Sequence, residues 1–94
     1  MDDIWIPESE ILTAMKGQRW KNRSVLNKLD KGSCRKVEVG IGVGVGNENT
    51  YARSAIDELL DEGALVLYRD GDLKPGVERS ENFLSKYDLK RPSD

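Results

Sequence analysis

Histidine is missing from this 94-residue sequence, and only one cysteine, Cys34, is present. Without histidine the chain cannot form a Ser-His-Asp or Cys-His catalytic arrangement, and it lacks a residue found in most zinc sites. A single cysteine cannot close an internal disulfide, which fits a reducing compartment, and alone it cannot hold a metal ion. We therefore predict a cytoplasmic protein that is not an enzyme and that carries no metal and no cofactor.

Long apolar runs are missing as well, since no stretch approaches the ~20 residues with which a helix crosses a bilayer. The amino terminus carries Asp2 and Asp3, whereas a secretory signal peptide begins with basic residues. No membrane partner is therefore expected. With 37% hydrophobic and 34% charged residues, the chain has material for one small domain with a modest core.

Charge is distributed unevenly along the chain, although the net charge is only −2. Residues 16–36 hold eight basic residues against Asp30 alone, whereas residues 1–15 hold four acidic residues and no basic one. A basic block in an acidic chain is typical of a surface that binds a polyanion or an acidic partner. The alternative is a solvated helix face whose countercharges lie nearby in space.

Two helical patterns follow one another in the first third of the sequence. Residues 4–6 are apolar and either form a short strand or cover the core. Pro7 suits the first turn of a helix, and Gly17 suits its end. A second helix or helix pair is predicted over 18–31, where apolar residues repeat at helical spacing before Gly32.

Residues 37–46 alternate valine or isoleucine with glycine or glutamate up to Gly46. A period of two is typical of a β-strand. Each interior glycine would also destabilise a helix by ~1 kcal/mol relative to alanine. The pattern therefore predicts a strand, with a helix kept as the alternative.

The clearest helical pattern covers residues 47–62. Asn47 or Asn49 can cap its first turn, and Gly63 ends it. Its apolar residues recur at three- and four-residue steps and form one stripe: Ala52, Ala55, Ile56, Leu59 and Leu60.

The C-terminal third is predicted to contain a β-hairpin. Residues 64–69 are rich in β-formers, and Asp70-Gly71 is a strong hairpin signal. Residues 73–77 would then return as the second strand. Ser80 can cap a short helix after the hairpin, and the last residues are expected to be a mobile tail.

The order of these elements resembles the winged helix-turn-helix of transcriptional regulators over about residues 22–78, and it is most similar to the ArsR-like pattern. The string I-L-x-x-L-x-x-G at the end of that family's first helix is matched by Val25, Leu26, Leu29 and Gly32. The turn segment E-L-A-x-x-L-G-L is matched by Glu38, Val39, Gly40, Val43, Gly44 and Val45. The exit L-x-x-x-G-L-V is matched by Leu59 or Leu60, Gly63, Leu65 and Val66. The metal ligands of that family are missing.

The resemblance implies an α+β fold with a three-helix core, a C-terminal β-hairpin wing and an extra N-terminal helix. The single domain, 1–94, would comprise an N-terminal extension (1–17), a helical core (18–63), a wing (64–78), and a C-terminal helix and tail (79–94). A second register places helices at 8–16 and 23–31 and a strand at 37–45. Both registers make 49–62 the recognition helix.

The resemblance further implies a homodimer that binds double-stranded DNA, with no small-molecule cofactor. Base contacts would come from the start of the recognition helix, at Asn49, Thr50, Tyr51, Arg53 and Ser54. The wing would add contacts from Arg69 and Lys74. The basic block, including Arg35 and Lys36, would add contacts with the DNA backbone. The competing interpretations are an ion pair of Arg53 with Asp57 and packing of Tyr51 against the face of helix 2.

Two other functions compete with DNA binding. Winged helices also serve as protein-interaction or assembly modules, and the acidic second half of 49–62 favours this alternative. A dinucleotide-binding fold is a weaker alternative, because the glycines after Val39 do not fall at positions 1, 3 and 6 of the fingerprint and the chain is too short for the remaining strands.

Overall fold

The computed structural model describes residues 3–41 and 44–90 as a small α+β domain with three strands and four α-helices. The elements in chain order are β1 (Trp5–Pro7), α1 (Glu8–Ala14), α2 (Arg19–Leu26), a 3₁₀ turn (Lys31–Ser33), β2 (Cys34–Ile41), β3 (Gly44–Ala52), α3 (Arg53–Asp61) and α4 (Lys74–Lys86).

The three strands form one antiparallel sheet in the order β1-β3-β2. β2 and β3 pair along their whole length, from Cys34 opposite Tyr51 to Ile41 opposite Gly44. The β-structure predicted from the valine–glycine alternation is therefore confirmed, but the single strand predicted over 37–46 is wrong, since β2 ends at Ile41 and the antiparallel β3 begins at Gly44. Residues 42 and 43 lie outside the described part of the chain. The strand forms despite its glycines because alternate residues of β2 exchange ladder hydrogen bonds with β3 across the hairpin.

One face of the sheet belongs to the core. Ile6, Tyr51 and Cys34 are directly paired across the three strands and so share a face. Ile6 and Tyr51 are almost completely buried. Ile56 and Leu60 of α3 join the same core cluster, because the apolar stripe of that helix turns inward.

A short turn separates α1 from α2. Residues 15–18 connect the two helices, and Gly17 adopts a φ of 112°, a left-handed conformation that glycine takes at no steric cost. The predicted end of the first helix near Gly17 is therefore confirmed. The second helix is shorter than the predicted 18–31, since it ends at Leu26.

The helix predicted over 49–62 begins later than expected. Asn49, Thr50 and Tyr51 belong to β3, because they pair with β2 on one side and, from Thr50 onward, with β1 on the other. α3 starts only at Arg53. The capping potential of the asparagines is thus overridden by backbone hydrogen bonds from two neighbouring strands.

The hairpin predicted over 64–78 is wrong. Leu67 makes an isolated bridge with Met15, and the turn at Asp70 and Gly71 leads into α4 instead of a returning strand. Pro75 lies in the first turn of α4, where its missing N–H costs no hydrogen bond. The hairpin of this fold is β2–β3, earlier in the chain.

Ser80 is an interior residue of α4 rather than its cap. Its side chain is fully buried, and the hydroxyl donates to the carbonyl oxygen of Ala14 over 2.9 Å. The Ser80 Oγ in turn accepts a hydrogen bond from the backbone N–H of Tyr68 over 3.1 Å. One hydroxyl therefore joins α4 to the end of α1 and to the segment before α4.

Candidate nucleic-acid interface

The residues predicted to contact DNA do not form one surface. Strand pairing brings Arg35 opposite Thr50 and Lys36 opposite Asn49. The others are divided between the start of α3 (Arg53 and Ser54), the loop before α4 (Arg69) and the first residue of α4 (Lys74).

Three of the predicted base-contacting residues are engaged within the fold. Thr50 is buried, and its hydroxyl donates to the carbonyl oxygen of Arg35 over 3.0 Å. The Asn49 amide donates to Oε2 of Glu8 over 3.2 Å. Tyr51 is 2% exposed, and burial, together with the nearby Glu8 carboxylate, raises the pKa of its hydroxyl to about 12. Thr50 and Tyr51 are buried in the sheet, whereas Asn49 is partly exposed with its amide bound to Glu8.

Arg53 and Ser54 form hydrogen bonds with residues near the two ends of the described chain. The Arg53 guanidinium donates from Nε to the carbonyl oxygen of Tyr87 over 2.7 Å and from Nη2 to the carbonyl oxygen of Asp88, at the end of α4. The Ser54 hydroxyl donates to Oδ2 of Asp3, which keeps the pKa of that carboxyl below its usual value. The competing interpretation of Arg53, an ion pair with Asp57, is also not observed among the described residues.

Arg53→Ala is expected to destabilise the fold without weakening DNA binding. The substitution removes two hydrogen bonds from a charged donor to the carbonyls at the end of α4, each of which is worth at most about 1.5–3 kcal/mol. Urea unfolding and duplex-binding titrations on the same protein would test both halves. Arg79→Ala, at an exposed position of α4, is the control. A loss of DNA affinity at unchanged stability would instead indicate that Arg53 contacts DNA.

Arg69 and Lys74 do not form the tip of a wing. The backbone N–H of Arg69 donates to Oδ2 of Asp72 over 2.8 Å, and the same carboxylate forms an ion pair with Lys16. The Arg69 N–H and the Lys16 ammonium both lower the pKa of the Asp72 carboxyl. This local network ties the loop before α4 to the residues that follow α1.

The basic block of the sequence lies on α2 and on the segment after it. Every lysine and arginine between residues 16 and 36 is exposed. α2 contains no acidic residue, and its buried side is formed by Asn22 and Leu26. We refer to its exposed side, together with the exposed Asn27 and Lys28 in the turn that follows, as the α2 face; its residues on the helix are Arg19, Trp20, Lys21, Arg23 and Ser24.

The arrangement of the α2 face follows from helical geometry. At 3.6 residues per turn, Trp20 and Ser24 lie in the middle, opposite the buried side. Arg19 and Arg23 lie along one flank, and Lys21 and Lys28 lie along the other. The face therefore has an aromatic and polar centre between two basic edges.

A buried carboxylate fixes this face against the rest of the domain. Glu8 is 7% exposed, and its Oε1 accepts a hydrogen bond from Nε of Arg23 over 2.9 Å. Its other oxygen accepts the Asn49 amide, so α1, α2 and β3 meet at one side chain. Within the described chain Arg19, Lys21 and Lys28 have no ion-pair partner.

A polar groove of about 320 Å³ separates α2 from the β2–β3 hairpin. Arg19, Arg23 and Lys36 contribute positive charge to its walls, and Glu8 and Glu48 contribute negative charge. Glu48 accepts the backbone N–H of Ser9 over 3.0 Å. The neighbouring Arg35 points to the other face of the sheet, where its guanidinium carbon lies 4.1 Å from the Trp5 ring centroid.

The residues that dominate this surface were not assigned to base contact from the sequence. Arg19, Trp20, Lys21 and Arg23 belong to the basic block, which was expected to supply only backbone contacts. The available signal was a tryptophan enclosed by basic residues in a segment without acids, RWKNR. That signal does not say which of several helices stands out from the domain.

No protein-family model, curated protein or solved structure matches this chain. No helix in residues 3–41 and 44–90 is long and apolar enough to cross a membrane. The same residues contain no group of three Cys, Asp or Glu side chains that could hold a metal ion.

Proposed function

We propose that this chain is a winged helix-turn-helix domain that binds double-stranded DNA, with α2 as its recognition helix and the β2–β3 hairpin as its wing. Two helices joined by a turn of three or four residues that often contains glycine define the helix-turn-helix. α1, residues 15–18 with Gly17, and α2 fit this description. The hairpin follows the second helix after residues 27–33, which include the 3₁₀ turn, and we assign it as the wing.

The observation that carries the proposal is the α2 face. A recognition helix enters the major groove and contacts base edges from its N-terminal residues, while flanking cations bind phosphates. Arg19 and Arg23 can donate to the guanine edge or to phosphate, and Lys21 and Lys28 can bind phosphate on the opposite flank. This proposal transfers the recognition role from 49–62, where the side chains predicted to contact bases are engaged within the fold, to residues 19–28.

The wing supplies further cations in this proposal. Arg35 and Lys36 lie on β2, exposed, and project to opposite faces of the sheet. Lys36 shares the polar groove with Arg19, so the helix and the hairpin can hold one strand of DNA between them. We further propose that the protein acts as a cytoplasmic transcriptional regulator, and as a homodimer on two half-sites.

Binding to duplex DNA is expected to weaken steeply with salt. Five exposed cations of the basic block have no ion-pair partner among the described residues: Arg19, Lys21, Lys28, Lys31 and Lys36. Five phosphate contacts correspond to a loss of about 500-fold between 50 and 200 mM salt. Fluorescence anisotropy with mixed-sequence duplexes would measure the slope. An absence of binding at 50 mM salt would overturn the proposal.

A protein-interaction module is the second candidate. It is supported by the acidic side of α3, where Glu58, Asp61 and Glu62 are exposed. A protein that fails the salt titration but forms a complex with a basic partner through these carboxylates would support this alternative. Charge reversal on α3 would then abolish the complex, whereas reversal on α2 would leave it intact.

A further inference from the structure

Trp20 is the feature of the α2 face that phosphate binding does not explain. Its side chain is 73% exposed, although tryptophan is usually largely buried in a folded protein. It packs into no hydrophobic cluster, because the core side of α2 is formed by Leu26 with the partly buried Val25. Arg19 and Arg23 enclose it in a shallow depression of about 410 Å³.

The position of Trp20 determines which chemical groups of DNA its indole can contact. The two basic flanks of α2 would engage phosphates on both sides of a groove, so the residue midway between them faces the base pairs. The indole has one donor, Nε1–H, and is otherwise an apolar surface. Along the floor of the major groove the apolar group is the C5-methyl of thymine, since the other base edges offer hydrogen-bond donors and acceptors.

We propose that Trp20 is a specificity-determining residue that packs against a thymine methyl group and so requires thymine at one position of the DNA site. This inference depends on the proposed function, because it needs α2 in the major groove. Arg19 and Arg23 align the indole along the groove, and the buried Glu8 carboxylate fixes Arg23. Charge sets the affinity of the complex, and Trp20 sets the thymine preference.

The test removes only the methyl group. A preferred duplex is first obtained by selection from a random pool with the wild-type protein. Each thymine is then replaced singly by deoxyuridine, which keeps the base pair and the hydrogen-bonding edge. One replacement is expected to weaken wild-type binding about fourfold, the effect of one buried methyl-sized group. Trp20→Gln is expected to bind more weakly and to show no loss at that position, whereas Trp20→Phe retains the loss.

The outcomes separate the two proposals. If the wild type binds the selected duplex but no deoxyuridine replacement changes the affinity, Trp20 does not recognise a methyl group, and DNA binding stands without this inference. If no duplex binds at low salt, the proposed function fails first. If single-stranded DNA binds more tightly than the duplex and Trp20→Gln removes the difference, the indole stacks on unpaired bases, and the inference is wrong.

Discussion

Reversing two charges on α2, in the double variant Arg19→Glu and Lys21→Glu, is expected to lower the affinity for duplex DNA at least about 100-fold at 100 mM salt. The two residues lie on opposite flanks of the α2 face, so each flank loses a cation and gains an anion. Their side chains are exposed and have no ion-pair partner in residues 3–41 and 44–90, and the variant is therefore expected to fold normally. Anisotropy titrations would measure the affinity, with circular dichroism as the check of folding.

A matched control separates a local site from the effect of net charge. Arg79→Glu with Lys90→Glu makes the same change in charge at exposed positions of α4 and the segment after it. This pair is expected to change affinity by less than about threefold, because exposed charges more than a Debye length from the DNA are screened. Equal losses in both double variants would show that binding responds to overall charge, and α2 would have no special role.

Ile56→Ala is expected to lower the free energy of unfolding by about 2–5 kcal/mol, the usual cost of truncating a buried isoleucine. Ile56 has no exposed surface and lies on the inward stripe of α3, within the main core cluster. A domain of this size is stable by only about 5–15 kcal/mol, so this single change removes a large share. Urea unfolding followed by circular dichroism would give the difference.

The same substitution at an exposed site is the control for that loss. Ile4 is 52% exposed, and Ile4→Ala is expected to cost less than about 1 kcal/mol. A loss below 1 kcal/mol at Ile56 would mean that α3 does not pack its apolar stripe into the core. A free α3 would again be available as a recognition helix, contrary to the fold described above.

The patterns that repeat every two residues or every three to four residues were predicted correctly, because they depend on residues that are close together in the sequence. The alternation around Val37 and Val39 became a strand, and the stripe at Ile56 and Leu60 became a buried helix face. The start of α3 was placed four residues too early, because Asn49–Ala52 gains its hydrogen bonds from strands that are distant in sequence. The helix-capping propensity of Asn49 carries no information about pairing with strands that are distant in sequence.

The site was harder to predict than the fold. The turn signal at Asp70-Gly71 is genuine, but it leads into a helix, and nothing at Pro75 decides between an edge strand and a first helical turn. The basic block was visible from composition alone. Its role as an exposed helix face depends on which side of α2 is covered, and tertiary packing at Asn22 and Leu26 decides that.

Arg53, the first residue of α3, contacts segments from both ends of the described chain, which bears on how the domain unfolds. Domains commonly loosen from their free ends inward. Here the backbone N–H of Arg53 donates to the carbonyl oxygen of Ile4, and its side chain holds the carbonyls of Tyr87 and Asp88. Ile4 and the Tyr87–Asp88 segment thus both contact Arg53, the first through its backbone and the second through its side chain. A displacement of the first turn of α3 would therefore disturb segments from both ends of the described chain.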